Sequence, residues 1–394
     1  MNHIIYIGDV LKALKLLPDN SVDMCITSPP YLGLRAYGHD GQIGLEPTID
    51  DYLKKMLEVT IEVKRVIKKA GSFWLNMGDC FGAGARKTNV PDTINKKRGL
   101  TGLPEKHRNQ GYAKCLLMMP ERLAVAMIDK QGWTLRNKIK WVKQILIEKR
   151  NKTIGSAMPT SVADRFNETS EELYLFTKSK KYYFDIDSVR VPCQVQGVTD
   201  LRENGFLRAK KFEYDSKYLA EYSSMAKQSG QRFDYKGKFE GTEDAESFNS
   251  PRARSQRASK RADRGDTGGR WGNDGNGMAM PTKYNNPKGK NIPNCWQINT
   301  EPRNFKKELG VDVDHFAAFP SALIRRPILV GCPEGGTVLD IFAGSGTVAV
   351  VSELLKRNSI GIELNPKYVQ IIKKRLGKLN NFLFKVEVEE IIVP

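Results

Sequence analysis

The chain has 394 residues and a formal net charge of +18, from 63 Lys and Arg against 45 Asp and Glu. This length allows two or three domains with a sizeable core, and the excess of positive charge indicates a polyanionic partner. The six cysteines have no C-x-x-C spacing and the four histidines are scattered, so neither a zinc site nor a disulfide framework is predicted. We find no signal peptide and no apolar run of membrane-spanning length, which predicts a cytoplasmic protein.

Apolar runs and amphipathic segments alternate along most of the chain. In chain order, strands are predicted at 3–7, 22–27, 71–77, 133–142, 171–177, 338–341 and 359–363, and helices at 10–17, 50–69, 119–131 and 347–355. Residues 182–184 are expected to complete a hairpin with the strand 171–177 at the edge of the sheet. Alternation of this kind predicts an α/β fold with a doubly wound, mostly parallel sheet.

A rigid loop is predicted where the strand 22–27 ends, because Pro29 and Pro30 lack the N–H group that a strand or helix needs. Open α/β sheets place their ligands at the carboxyl ends of their strands. In this proline loop (residues 28–31), Ser28, the Pro29 carbonyl and the ring of Tyr31 suit a flat ring that carries an exocyclic amino group. The same residues could form an ordinary turn with a packed tyrosine, and the loop alone does not decide between the two.

A glycine turn (residues 342–346) joins a strand to a helix near the other end of the chain, in the sequence Phe342-Ala343-Gly344-Ser345-Gly346. Glycines two residues apart let the backbone approach a ligand, and the following helix N-terminus offers N–H donors. The next strand ends in Glu363, about 20 residues on, the spacing at which a carboxylate reaches ribose hydroxyls in nucleotide-binding βαβ units. No Gly-Lys-Ser/Thr follows, so the turn indicates a nucleoside site and not a phosphate loop.

Together these segments resemble the β group of amino-methylating DNA methyltransferases, which use S-adenosylmethionine. The proline loop resembles the family's catalytic motif and the glycine turn its cofactor motif. Residues 315–320 resemble the segment that packs on the methionine end of the cofactor, and residues 7–9 resemble a short strand whose acid faces the adenine side. The order is circularly permuted, with the catalytic motif first, a variable region next and the cofactor motif last. The resemblance implies a seven-stranded sheet.

The resemblance also implies roles for the matching residues. In catalysis, Ser28 and the Pro29 carbonyl accept the two amino protons, Pro30 completes the loop, and Tyr31 stacks on a base flipped out of the duplex. Holding both protons favours the pyramidal nitrogen of the transition state. The residues implied in cofactor binding are Asp9, Phe319, Pro320, Asp340, Phe342, Gly344, Ser345, Gly346, Thr347 and Glu363. Asp9 and Asp340 could equally cap strand ends.

The middle of the chain changes in character, since Lys, Arg, Ser, Gly, Asn and Asp dominate it and apolar periodicity disappears. This composition is typical of a disordered linker, but its place in the permuted order favours a basic DNA-recognition insert. We therefore predict a catalytic half at 1–192, the basic insert at 193–294 and a cofactor-binding half at 295–394. The candidate DNA contacts in the insert are Arg252, Arg254, Arg257, Lys260 and Arg261.

The sequence thus predicts a site-specific DNA methyltransferase that acts on double-stranded DNA and is associated with the nucleoid. Ser28, where many adenine-specific relatives carry an acid or Asn, favours cytosine N4 as the target, with adenine N6 as the alternative. A catalytically silent DNA-binding relative is a further alternative, and an RNA methyltransferase is disfavoured by the long basic insert. A cognate restriction endonuclease is a candidate partner.

Overall fold

In the computed structural model, the residues described are 1–34, 39, 41–82, 112–148, 151–191, 288–311, 319–380 and 386–394. Met1–Val191 and Lys290–Pro394 belong to one compact unit. The five basic residues predicted to contact DNA, and most of the predicted insert, lie outside the described residues. The basic insert and its boundaries therefore stay a prediction.

Among the described residues, nine strands form one sheet in the order β11-β1-β10-β9-β2-β3-β7-β4-β8, and β5 and β6 form a separate hairpin. Of these nine described strands, only β7 runs antiparallel to its neighbours. The strands are β1 Asn2–Ile7, β2 Val22–Thr27, β3 Ile67–Met77, β4 Thr134–Val142, β5 Gln144–Ile147, β6 Lys152–Gly155, β7 Ser170–Thr177, β8 Cys295–Gln297, β9 Thr337–Asp340, β10 Asn358–Glu363 and β11 Glu387–Ile392.

Helices cover both faces of this sheet. They are α1 Val10–Leu16, α2 Ile49–Val66, α3 Met119–Gln131, α4 Phe305–Leu309, α5 Ser321–Gly331, α6 Thr347–Leu354 and α7 Pro366–Gly377. One apolar cluster packs α1, α2 and α3 against the sheet through residues such as Leu14, Met56 and Met127. A second cluster contains Ile328 of α5 and Val351 of α6. The prediction of a doubly wound, mostly parallel α/β fold is confirmed.

Two details of the predicted sheet are wrong. The sheet has nine strands in the described part of the chain, because β8 and β11 extend the seven expected strands at the two edges. Residues 182–184 form no strand, and β7 lies between β3 and β4, inside the sheet. Its strong apolar pattern, buried from Glu172 to Thr177, fits this internal position better than an edge.

Neither a membrane span nor a metal site is present in the described part of the chain. None of its helices is both long and apolar enough to cross a bilayer. The same residues contain no group of three or more His, Cys, Asp or Glu side chains arranged to hold a metal ion.

Candidate active site

The two sequence motifs meet because their strands are neighbours in the sheet. The strand that leads into the proline loop, β2, pairs with the strand that leads into the glycine turn, β9, through Met24 to Val338 and Cys25 to Leu339. On the other side of β9, β10 pairs with β1 up to the register Ile7 to Glu363. Parallel strands bring their carboxyl ends to one edge, where open α/β sheets bind ligands. Segments more than 300 residues apart in sequence therefore share one edge.

A single cavity of about 590 Å³ lies at this edge and is lined by both motifs. All four predicted catalytic residues, Ser28, Pro29, Pro30 and Tyr31, line it. So do the predicted cofactor residues Asp9, Phe319, Asp340, Phe342, Gly344, Ser345, Thr347 and Glu363. Pro320 and Gly346 do not belong to its lining. A base and a cofactor could meet within such a volume, which lies in the usual range for ligand pockets.

Buried contacts hold the proline loop in place. The hydroxyl of Tyr52, a fully buried residue of α2, donates a 2.9 Å hydrogen bond to the carbonyl of Pro30. Gly44 packs against the same segment with a φ of +98°, and a Cβ atom there would lie 3.0 Å from the Tyr31 carbonyl oxygen. The loop is thus fixed from the α2 side as well as by its two prolines.

A polar cluster surrounds the hydroxyl of Tyr31. This hydroxyl donates to Glu171 Oε2 at 2.9 Å and lies 3.3 Å from Ser28 Oγ. Asn76 Nδ2 donates to the same Glu171 oxygen at 2.9 Å, and lies 3.3 Å from the Tyr31 hydroxyl and 3.4 Å from Ser28 Oγ. Lys143 forms an ion pair with the other carboxylate oxygen of Glu171. Burial and the charge of Glu171 raise the pKa of Tyr31 well above its usual value, so the phenol keeps its proton.

Sequence reasoning missed three members of this cluster: Asn76, Lys143 and Glu171, which also line the cavity. Asn76 precedes the end of β3 by one residue, and the acid Asp79 follows that end by two. Asp79 instead caps α3, because its carboxylate accepts from the backbone of Met118 and Met119. Glu171 was missed because an antiparallel strand brings its amino end to the ligand edge. A charged residue at the start of an otherwise apolar strand was the available signal.

The glycine turn is held by the acid that was predicted to reach a ribose. Glu363 accepts from the backbone N–H of Gly344 at 2.7 Å and of Asn365 at 2.8 Å. Burial raises its pKa to about 7. Gly344 and Gly346 have φ values of +52° and +75°, a region that glycine adopts without the strain imposed on other residues. A Cβ atom on Gly346 would lie 2.8 Å from Ile372, so this glycine serves close packing and not the cavity.

Arg375 of α7 stabilises the glycine turn through hydrogen bonds. Its buried guanidinium donates to the Ser345 carbonyl at 2.7 Å and to Thr347 Oγ1 at 3.1 Å. Burial lowers its pKa to about 9. Sequence reasoning did not select this residue, because an arginine on a helix is ordinarily exposed.

Asp9 and Asp340 were predicted either to bind the cofactor or to cap strand ends. Both line the cavity, and both accept hydrogen bonds from backbone N–H groups. Asp9 accepts from the backbone N–H of Leu11 and Lys12, and so caps α1. Asp340 accepts from Thr27 Oγ1 at 2.7 Å and from Phe342 N at 3.2 Å. Burial raises the pKa of Asp340 to about 7.

Comparison with known proteins agrees with this arrangement. The profile of a family described as DNA methylase matches residues 22–374. The Type II methyltransferase M.SmaI of Serratia marcescens is 30% identical over 372 residues, covering 94% of this chain and 90% of that protein. M.Cfr9I of Citrobacter freundii is 31% identical over 369 residues, covering 94% of this chain and 86% of that protein. The solved PvuII DNA methyltransferase (cytosine-N4-specific) aligns with a TM-score of 0.50 at 17% identity, covering 98% of this chain and 90% of that one, and shows a shared fold.

The chain belongs to the DNA methylase family that methylates exocyclic amino groups. The predicted class of enzyme is therefore confirmed, as is S-adenosylmethionine as its methyl donor. Its substrate is DNA, and Type II relatives of this kind belong to restriction-modification systems.

Proposed function

We propose that this DNA methyltransferase modifies N4 of cytosine at a specific duplex sequence, with the proline loop as its catalytic element. The observation that carries the proposal is the shared cavity, in which Ser28 and the glycine turn line one space. The methyl donor and the acceptor amine can therefore lie side by side.

The residues at the carboxyl ends of β9, β10 and β1 fit a nucleoside cofactor. Glu363 offers a buried carboxylate for ribose hydroxyls, and its contact with Gly344 N keeps it aimed at the turn. Asp9 lies at the end of β1 for the adenine side, and Phe319 and Phe342 add apolar surface in the same cavity. When bound, S-adenosylmethionine supplies an electrophilic methyl group. Pro320 and Gly346 act indirectly in this proposal, since neither lines the cavity.

Ser28 and Pro29 would act on the amine itself. The lone pair of a ring-conjugated amine is delocalised, which makes the nitrogen a poor nucleophile. Hydrogen bonds from the two amino protons to Ser28 Oγ and the Pro29 carbonyl favour the pyramidal nitrogen that develops as the new bond forms. These acceptors therefore stabilise the transition state more than the ground state. The rigid loop also fixes the direction in which the lone pair points.

Ser28 is the residue that favours cytosine over adenine. Many adenine-specific members of this family carry an acid or Asn at this position, whereas this chain has a neutral hydroxyl. Tyr31 would stack on the extruded base, because no amine within a paired duplex can reach the cavity. Adenine N6 methylation by the same residues is the second candidate, since Ser28 also suits that amine.

The basic insert at 193–294 would supply the duplex contacts, with Arg252, Arg254, Arg257, Lys260 and Arg261 on DNA phosphates. Its strong positive charge supports this role. A cognate restriction endonuclease, which would cleave the unmodified form of the same sequence, is the proposed partner in the cell. Work on chromosomal DNA would associate the protein with the nucleoid.

Mass spectrometry of nucleosides tests the proposal directly. The purified full-length protein is incubated with S-adenosylmethionine and unmethylated genomic DNA, and the digested DNA is searched for methylated nucleosides. We expect N4-methylcytosine, and modification-sensitive sequencing of the same DNA would give the target sequence. N6-methyladenine would overturn the cytosine assignment, and absence of both products despite cofactor binding would indicate a silent relative.

A further inference from the structure

We infer that Glu171 is a positioning residue that sets the direction of a hydrogen-bond chain, Ser28 to Tyr31 to Glu171, and thereby keeps Ser28 Oγ available as an acceptor. The inference rests on the proposed role of Ser28 as an acceptor of an amino proton. It concerns a residue that lies 140 positions from Tyr31 in sequence and contacts its hydroxyl in the cavity wall.

The direction of the chain follows from the protons that each group owns. An ionised carboxylate can only accept hydrogen bonds, and a phenol has one proton to donate. Tyr31 gives this proton to Glu171 Oε2 at 2.9 Å. Toward Ser28, 3.3 Å away, the Tyr31 oxygen can then only accept. The Ser28 hydroxyl proton is thus directed to Tyr31. Asn76 Nδ2, 3.4 Å away, donates to one lone pair of Ser28 Oγ, and the other lone pair remains for the amine.

Lys143 and Asn76 hold the Glu171 carboxylate in place, each as a donor to one of its oxygens. Lys143 pairs with Oε1 of the carboxylate. It also lies 4.8 Å from the centroid of the Trp141 ring, which limits its movement. Asn76 Nδ2 donates to Oε2 at 2.9 Å, beside the Tyr31 bond.

The cost of holding Asn76 in this place supports a functional reason for the cluster. Asn76 is 3% exposed, and its Oδ1 atom is buried without a hydrogen-bond partner among the described residues. Leaving a buried acceptor unpaired destabilises the folded state. The Nδ2 atom of the same amide contacts Glu171, Tyr31 and Ser28. Asn76 is therefore kept in the cluster although its own oxygen has no partner there.

Close packing prevents the Tyr31 ring from leaving this arrangement. A Cβ atom on Gly78 would lie 2.9 Å from Tyr31 Cε2 and 3.1 Å from Glu171 Cγ, so both side chains lie close against the bare backbone of Gly78. The ring is held before any base arrives, and a preorganised group loses less entropy when its ligand binds.

Glu171→Gln is the variant that should reverse the chain. Lys143 can only donate, so it would take the amide oxygen of the new side chain and turn the amide N–H₂ toward Tyr31 and toward Asn76, whose Nδ2 would lose its acceptor there. Tyr31 would then accept from Gln and donate to Ser28 Oγ, which occupies the lone pair that the amine needs. Tyr31→Phe removes the hydroxyl that links Ser28 to Glu171. In that background the residue at position 171 can no longer affect Ser28 through the hydrogen-bond chain.

The test is a double-mutant cycle on kcat, measured with S-adenosylmethionine and a duplex that carries the target sequence. Turnover is normalised to the concentration of cofactor-binding sites, so that misfolded protein is not counted. Glu171→Gln should lower kcat at least about tenfold, but by no more than the roughly 100- to 1000-fold expected when the Ser28 hydroxyl is removed. The Kd for DNA should change little. In the Tyr31→Phe background the same substitution should lower kcat by less than about twofold.

Two variants complete the test. Glu171→Asp keeps a carboxylate and should retain more activity than Glu171→Gln. Glu172→Gln is the matched control, because this neighbour pairs with Lys140 at 2.9 Å. Among the described contacts, the Glu172 side chain has none with the five cluster residues, so kcat should stay near the wild-type value. Independent, multiplicative effects of Glu171→Gln and Tyr31→Phe would overturn the inference, as would a change in DNA affinity alone. An N6-methyladenine product would overturn the cytosine assignment but leave this coupling to be decided by the cycle.

Discussion

Thr27 Oγ1 donates a 2.7 Å hydrogen bond to Asp340 Oδ1, and this contact joins the last residue of β2 to the last residue of β9. Both side chains are buried. The same carboxylate oxygen accepts from Phe342 N at 3.2 Å, at the start of the glycine turn. One carboxyl group therefore fixes the position of the proline loop relative to the glycine turn.

Thr27→Val should loosen this connection without changing the shape of the residue. Asp340 Oδ1 would lose one of its two donors and keep only Phe342 N, and the loss of a hydrogen bond to a buried carboxyl group costs about 1–3 kcal/mol. We expect a loss of this size in the free energy of unfolding, measured by urea denaturation. Cofactor affinity, measured by calorimetry, should fall as well, because the glycine turn depends on the same carboxylate.

Thr177→Val is the matched control for that experiment. Thr177 is buried in β7 of the same sheet, but its Oγ1 has no partner among the described residues. Replacing an unpaired buried hydroxyl by a methyl group should be neutral or slightly stabilising. Equal losses in the two variants would show that the Thr27 effect does not come from its bond to Asp340.

Ser28→Ala should lower kcat far more than it lowers affinity for DNA or cofactor. The hydrogen bond from the amine strengthens as charge develops on nitrogen, and losing one preorganised partner of this kind costs about 2.7–4 kcal/mol, or roughly 100- to 1000-fold in kcat. Single-turnover kinetics would separate the chemical step from binding. Ser21→Ala, which removes a hydroxyl bonded only to the Pro18 carbonyl among the described contacts, serves as the control. Wild-type turnover by Ser28→Ala would refute the mechanism.

The sequence alone predicts those parts of the site that follow from local residue patterns. The two prolines after β2 and the glycines after β9 mark loops at strand ends whatever the rest of the chain does. Strand alternation then places such loops at one edge, so the meeting of Ser28 with Phe342 and Gly344 could be anticipated. Local patterns also set β2 at Val22–Thr27 and α3 at Met119–Gln131, as predicted.

The remaining members of the site depend on tertiary pairing that no local pattern contains. Glu171 reaches Tyr31 only because β7 inserts between β3 and β4 with antiparallel direction. Arg375 reaches Ser345 only because α7 packs beneath the glycine turn. Comparison with a family's motifs identifies only the residues within those motifs. Glu171 and Arg375 lie outside the motifs, so such a comparison does not find them.

The two glycines of the turn should respond differently to substitution. Gly344→Trp places a bulky side chain beside the cavity and should abolish cofactor binding while DNA affinity remains, as calorimetry and gel-shift titration would report. Gly346→Ala introduces a Cβ atom about 2.8 Å from Ile372 at a φ of +75°, so it should reduce thermal stability. A stable Gly346→Ala protein, or normal cofactor affinity of Gly344→Trp, would contradict this division.

Neutralising Arg252, Arg254, Arg257, Lys260 and Arg261 together tests the basic insert. If these side chains bind phosphates, DNA affinity should fall, and the slope of log K against log salt should become shallower by about 0.9 for each phosphate that is no longer neutralised. Cofactor affinity should hardly change. The same number of Lys-to-Gln substitutions at 12, 15, 54, 55 and 69, in the catalytic half, is the control. An unchanged slope in the insert variant would make this run a passive linker.

The two buried acids give the protein a pH dependence with opposite signs for folding and for cofactor binding. Burial raises the pKa of Glu363 and of Asp340 to about 7 in the folded protein, whereas in an unfolded chain both carboxyls have ordinary values near 4. Between these values the folded state binds more protons than the unfolded state. The free energy of unfolding of the cofactor-free protein should therefore fall as pH rises from about 4.5 to about 7.

Cofactor affinity should rise over the upper part of the same window, because ribose hydroxyls are proposed to donate to an ionised Glu363. Thermal melts and calorimetric titrations from about pH 5.5 to about pH 8.5 would measure the two trends on the same preparation. In Glu363→Gln the affinity should be lower and nearly independent of pH, and the stability profile should keep only the part due to Asp340. A wild-type affinity that stays constant while stability changes with pH would remove the Glu363 carboxylate from the cofactor site.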